Sequence, residues 1–153
     1  MIKNIKIATI SKKDHHAIYE IMKSLGKWFD ENALRNILID LFYHQGYVAR
    51  YKREYIGFIT YFVYEGIGNI GWIGVREKYQ NNKIGKILLN KITDDFKKMN
   101  IKEIQVYTLS DSVDYEPYVN TRRFYYNNGF IEYRRIKTGN ASCPEELYLR
   151  KKI

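Results

Sequence analysis

Apolar residues recur at every fourth position in Ile84, Leu88, Ile92 and Phe96. That spacing lies on one face of a helix and predicts an amphipathic helix over 85–99. Segments of strand character surround it. Runs at 47–51 and 55–64, joined by Lys52-Arg53-Glu54, read as a hairpin, and 70–75 reads as a third strand. Strands at 103–109, 131–136 and 147–153 follow, with a helix over 117–128 that ends at Asn128-Gly129. Earlier, residues 2–10 alternate around Ile5 and Ile7, and Ser11 is placed to cap the helical segment after it. Helical spacing then runs through Ile18, Ile21, Met22 and Leu25, and again through Leu34, Ile37, Leu38 and Leu41. These stretches predict helices over 16–29 and 32–43. The order β-α-α-β-β-β-α-β-α-β-β implies an α/β chain built on a mixed sheet with helices on its faces. It lacks the strict alternation of a doubly wound nucleotide-binding fold.

The 153 residues suffice for one continuous core, and neither a repeat nor a linker divides them, so one domain over 1–153 is expected. A single cysteine, Cys143, can form no intrachain disulfide, which fits a reducing compartment. No apolar run approaches the roughly 18–20 residues of a membrane span. The opening MIKNIKIATI is too short and too charged for a signal peptide. A cytoplasmic protein without a membrane partner is the expectation. Lys and Arg number 26 against 17 Asp and Glu, a net charge of +9. Such a surface attracts anions, whether nucleic acid, anionic lipid or a polyphosphorylated cofactor.

One segment shows where an anion would sit. A strand ends near Val75, a polar loop follows, and the helix opens at Ile84 or Gly85. The first turn of a helix carries main-chain N–H groups without internal partners and the positive end of the dipole. Acidic residues usually compensate that end, each by about 0.3–1 kcal/mol. Here Lys83 and Lys86 flank it, and no acid appears between Glu77 and Asp94. A phosphate ligand would supply the missing charge, and Gly85 would let main chain approach it closely. The plain alternative is a cationic helix in a cationic protein.

The same residues resemble the acyl-CoA-binding motif of the GNAT superfamily of N-acetyltransferases, Gln/Arg-x-x-Gly-x-Gly/Ala after a strand ending in Val. The matching positions are Val75, Gln80 and Gly85, with Ile84 and Leu88-Leu89 continuing the apolar pattern and Lys83 in place of the first glycine. Downstream, Thr121-Arg122-Arg123-Phe124-Tyr125-Tyr126-Asn127-Asn128-Gly129-Phe130 resembles the family's Ala-x-x-Phe-Tyr-x-x-x-Gly-Phe. The resemblance spans essentially the whole chain. It implies a central mixed, mostly antiparallel sheet of six to seven strands flanked by about four helices.

That resemblance also implies roles. Main-chain N–H groups of Asn81, Asn82, Lys83, Ile84, Gly85 and Lys86 would cradle the coenzyme A pyrophosphate, beside Gln80. Ile73, Gly74 and Val75 would pair with the pantetheine arm like an added strand. Asn120 is a displaced substitute for an asparagine that often touches the cofactor, whose place falls at Tyr118. Tyr125 is the candidate proton donor to the departing thiolate, sharing a helix face with Tyr118 and Arg122. Reference values near 10 for Tyr and 8.5 for a thiol make that transfer uphill by roughly 2 kcal/mol.

In this family an amine attacks the thioester of acetyl-CoA directly, which agrees with the lack of a nucleophile motif. An amine with a pKa near 10.4 costs about 4.6 kcal/mol to deprotonate at pH 7, so a carboxylate or a water held by one is expected to help. Glu65, Asp111, Asp114 and Glu116 are the candidates, and none is singled out. His15, His16 and His44 read as surface or core residues, and no metal is expected. The acceptor would be a primary amine of a small molecule or protein, and the aromatic final strands allow a homodimer. Two other readings stand beside this one. A basic, Tyr-rich nucleic-acid binder is disfavoured because the lysines are dispersed and no RNA-binding motif occurs. A CoA-binding regulator without catalysis would share the cofactor site alone.

Overall fold

The computed structural model describes residues 2–153. In chain order the elements are β1 (Lys6–Thr9), α1 (His15–Ser24), α2 (Glu31–Asp40), β2 (Gln45–Tyr51), β3 (Glu54–Tyr64) and β4 (Ile67–Val75). They continue with α3 (Ile84–Lys98), β5 (Glu103–Leu109), α4 (Pro117–Asn127), β6 (Ile131–Lys137) and β7 (Glu145–Lys152). Short 3-10 turns at Lys12–Asp14 and Glu77–Tyr79 precede α1 and α3. The strands form one seven-stranded sheet in the order β1-β2-β3-β4-β5-β7-β6. Every neighbouring pair is antiparallel except β4 and β5.

The four-residue recurrence does what its spacing implies. Ile84, Leu88, Ile92 and Phe96 are all buried, on the face of α3 that meets β2, β3 and β4. That layer also holds Ile104 and Val106 of β5, Tyr125 of α4, and Leu147 and Leu149 of β7. The opposite face of the sheet carries Val48 and Phe58, covered by Ile18, Ile21, Met22 and Leu25 of the α1 region and by Ile37 and Leu41 of α2.

Several boundaries differ from the sequence reading for local reasons. Asn4 has a left-handed φ of 65°, so β1 starts only at Lys6. The Ser11 main-chain N–H and hydroxyl both donate to the Asp14 carboxylate, at 2.8 and 3.1 Å, which opens the turn before α1. Leu25 leaves helical geometry, and α1 stops at Ser24 although Trp28 and Phe29 extend the apolar pattern. Those two rings belong to the loop, whose Trp28 and Phe29 N–H groups donate to the Leu25 carbonyl. The end of α4 is as expected: Gly129 takes φ of +89°, a conformation glycine adopts without penalty.

Candidate active site

β4 bonds to β3 along its length but to β5 only at Gly68↔Ile104 and Asn69↔Gln105. Beyond Asn69 the two strands part. A bulge lies at that point: Ile70 faces Tyr61 and Ile73 faces Ile59, so Gly71 and Trp72 together oppose Thr60. Bulges bend a strand and sharpen its twist, which carries the end of β4 away from β5. Thr60 stabilises the irregularity by accepting the Trp72 N–H on its hydroxyl at 2.9 Å. Gly71 is required by space, since a Cβ there would lie 2.5 Å from His44 Nδ1 and 2.7 Å from Thr60 Oγ1.

The gap opens into a cleft of about 1020 Å³ that runs from the start of α3 to the α1–α2 loop. At its α3 end, main-chain N–H groups from Asn81 to Lys86 make no hydrogen bond within the described residues; the first N–H with an acceptor is that of Ile87, to Lys83 O. No acidic residue occupies the first turn. Lys83, in the place of the motif's first glycine, is left-handed with φ of 63° and ψ of 16°, and Asn81 has φ of 64°. The backbone therefore keeps the conformation a glycine would favour, and the Lys83 side chain is exposed.

Two side chains fix this loop. Gln80 donates its amide N–H to the Val75 carbonyl at 2.9 Å, tying the loop to the end of β4. Asn82 donates to the Tyr79 and Gln80 carbonyls at 3.1 and 3.2 Å. Asn82 is also the one proposed cofactor residue that does not line the cleft; Ile73, Gly74, Val75, Gln80, Asn81, Lys83, Ile84, Gly85, Lys86 and Asn120 do. Gly85 serves packing first, because a Cβ there would come within 3.0 Å of the Phe124 ring.

Tyr125 of α4 stands in the middle of the cleft wall with 3% of its surface exposed, its ring against Phe124 and Phe130. Among the described residues its hydroxyl has no hydrogen-bond partner, yet Arg50 Nε is the one fully buried side-chain nitrogen or oxygen left unpaired among them. The Tyr125 hydroxyl therefore keeps a little accessible surface, and Tyr125 is among the residues that line the cleft. Burial, and then the neighbouring Tyr118, push the Tyr125 hydroxyl far above the usual tyrosine range. Arg122 is turned elsewhere, donating to the Leu109 carbonyl at 2.9 Å.

A family profile for the acetyltransferase (GNAT) domain matches residues 42–132, more than half of the sequence. The chain belongs to the GNAT acetyltransferase family. Acyl transfer is the general chemistry of that family. The fold agrees over nearly the full length. A GNAT-family protein from Desulfovibrio desulfuricans superposes with a TM-score of 0.82 at 19% identity, covering 97% of this chain and 99% of that one. The ribosomal-protein-S18-alanine N-acetyltransferase of Escherichia coli gives 0.78 at 15%, covering 98% and 94%. The PaiA N-acetyltransferase of Thermoplasma acidophilum, solved in complex with coenzyme A, gives 0.72 at 21%, covering 98% and 99%. At these identities the likeness is one of fold. No curated protein matches the chain in sequence.

Within this GNAT domain the proposed acids separate. Glu65 sits in the β3–β4 turn with φ of 50° and does not line the cleft. Asp111 is tied to Arg135 at 2.6 Å, and this guanidinium holds its carboxyl below the usual range. Glu116 precedes α4 outside the cleft, which leaves Asp114 as the exposed acid of that loop on the lining. The cleft is roofed where the sequence gave no sign. Trp28 Nε1 donates to the Pro117 carbonyl at 3.0 Å, and the Tyr118 and Tyr115 hydroxyls donate to the Trp28 and Lys27 carbonyls at 2.7 and 2.6 Å. Ser142 of the β6–β7 loop donates to Asp30 on the same side. Among the described residues no group of three His, Cys, Asp or Glu is arranged to hold a metal, and no helix is long and apolar enough to cross a membrane.

Proposed function

We propose that the chain transfers an acetyl group from acetyl-CoA directly to a primary amine of a small molecule or protein. The observation that carries this reading is the run of six free main-chain N–H groups at 81–86, opening onto a cleft that leads through the β4–β5 gap to the Tyr125 hydroxyl. Unpaired N–H groups at a helix start bind phosphate through both hydrogen bonds and the dipole. Coenzyme A brings a diphosphate of matching charge, and Lys83 and Lys86 add theirs. Gln80 and Asn82 act by holding the loop in shape, and Ile73, Gly74 and Val75 offer the strand edge that β5 leaves free to the pantetheine amides.

At the gap, the amine attacks the thioester carbonyl, the C–S bond breaks, and the amine's surplus proton leaves to water. Tyr125 donates a hydrogen bond, and then its proton, to the departing sulfur, and regains a proton from water. Its raised pKa keeps the hydroxyl protonated at any working pH and makes full transfer costlier than reference values suggest, so stabilisation of the developing thiolate by hydrogen bonding carries more of the effect. Acetyl-CoA should raise the melting temperature, by about 2.7 kcal/mol of linked stability at a hundredfold excess over Kd. Amine-dependent release of free thiol should accompany it. A thermal shift without thiol release across amines, amino acids and peptides would leave a CoA-binding regulator instead.

A further inference from the structure

On the α2 side of the gap lies a second hollow, of about 320 Å³, sharing Ile70, Gly71, Trp72, Val106 and Tyr107 with the cleft. That size falls within the range of small-molecule sites. α2 roofs both: Asn32 and Asn36 line the cleft and Asp40 lines the hollow, four residues apart on one helical face.

The hollow is anionic and aromatic inside a chain of net charge +9. No Lys or Arg lines it. Asp40 closes α2 with no basic residue in the last turn, although helix C-termini favour cations and repel carboxylates. One carboxylate oxygen of Asp40 accepts Trp72 Nε1 at 2.8 Å, and among the described residues no hydrogen bond engages the other. Around it stand the rings of Trp72, Phe62, Tyr107 and Tyr148, with Tyr107 and Tyr148 paired at 5.5 Å. His44 stacks on Phe62 at 5.0 Å and meets Thr60 Oγ1 through Nδ1 at 3.1 Å. Burial lowers its pKa against the pull of Asp40, so it supplies no charge at neutral pH. Arg134 stays one strand further out, 5.5 Å from the Tyr148 ring centroid. A carboxylate with an open oxygen, in a hollow lined by aromatic side chains and by no base, suits an organic cation.

We infer that this hollow is a second-cation subsite, and that the acceptor is a small diamine or polyamine whose distal ammonium rests on Asp40 while its other amine reaches the gap. The inference rests on the acetyltransferase reading and narrows its acceptor. It is tested on the full chain with saturating acetyl-CoA, measuring thiol release with putrescine, cadaverine and spermidine against n-butylamine. The diamines should exceed the monoamine in kcat/KM by tenfold or more. Asp40→Asn, which keeps an acceptor for Trp72, should collapse that ratio toward one, with Asp40→Glu restoring part of it. Putrescine should raise the melting temperature of the CoA-bound chain, n-butylamine should not, and Tyr107→Leu should reduce the putrescine shift.

Equal rates for monoamine and diamine, or a preference that survives Asp40→Asn, would overturn the subsite while leaving acetyl transfer standing. Absence of both an acetyl-CoA thermal shift and any thiol release would overturn the function first, and the subsite with it.

Discussion

The start of α3 and the end of α2 approach the same gap in the sheet and break the same electrostatic preference in opposite directions. α3 begins with lysines and no acid at its positive end. α2 ends with an aspartate and no base at its negative end. A helix on an ordinary surface places the opposite charges, and each reversal forgoes about 0.3–1 kcal/mol. On the reading proposed above, charge left uncompensated by protein marks where ligand charge belongs, diphosphate at one end and ammonium at the other. The two ligands would then meet between them, beneath Tyr125.

The most severe way to break this scheme is at the meeting point. Tyr125→Phe should lower kcat by about 100-fold, on the order of 2.7 kcal/mol, with KM for either substrate within about twofold of the parent. Steady-state kinetics reads the split, and a change confined to KM would make Tyr125 a packing residue. Next, Lys86→Glu supplies the acid missing from the first turn of α3. It should raise KM for acetyl-CoA about tenfold while increasing helix stability by about 0.3–1 kcal/mol, so kinetics and melting temperature move apart. An unchanged KM would separate the anion from that helix end.

A smaller effect sharpens the α3 side. Lys83 occupies left-handed backbone, so Lys83→Gly should stabilise the fold by on the order of 0.5–1 kcal/mol, seen as a higher denaturant midpoint. The smallest belongs to α2. Because burial, opposed by Asp40, lowers the folded-state pKa of His44, the unfolded chain takes up this proton first as pH falls. Its contribution is therefore intact above the unfolded value of about 6.5 and is lost as pH falls through it toward the folded value. His44→Asn should make the decline in stability over that window shallower, measurable in denaturant titrations at stepped pH.

Regular periodicity made most of the fold legible. β5 runs over Glu103–Leu109, the expected bounds, although its apolar residues alternate only in part, and α3 begins at Ile84, one of the two expected positions. Reading failed where apolar residues serve tertiary contacts instead of an element's own pattern. Trp28 and Phe29 extended α1 on paper because rings that fill a loop look the same as rings on a helix. β4 was read short because Gly68 interrupts its pattern, and that glycine is set by α3, as a Cβ would lie 2.7 Å from the Phe96 ring. At the site, the lysines and missing acids around 83–86 were visible in one dimension. Asp40 carried the mirror signal, an acid in a final turn without bases, but its significance needs Trp72, Tyr107 and Tyr148, which only the folded sheet gathers around it.

The bulge in β4 also absorbs an extra residue without changing which face the later side chains take. Ile70 and Ile73 are an odd number of residues apart yet both turn toward the α3 layer, while Gly74 meets Leu25 and Phe58 on the other side. Excising Gly71 would place Trp72 alone opposite Thr60 and leave Ile70 and Ile73 two residues apart on the same face, so the faces would be kept while the bend that parts β4 from β5 would be lost. One supernumerary residue thus opens the sheet without turning any later side chain to the other face.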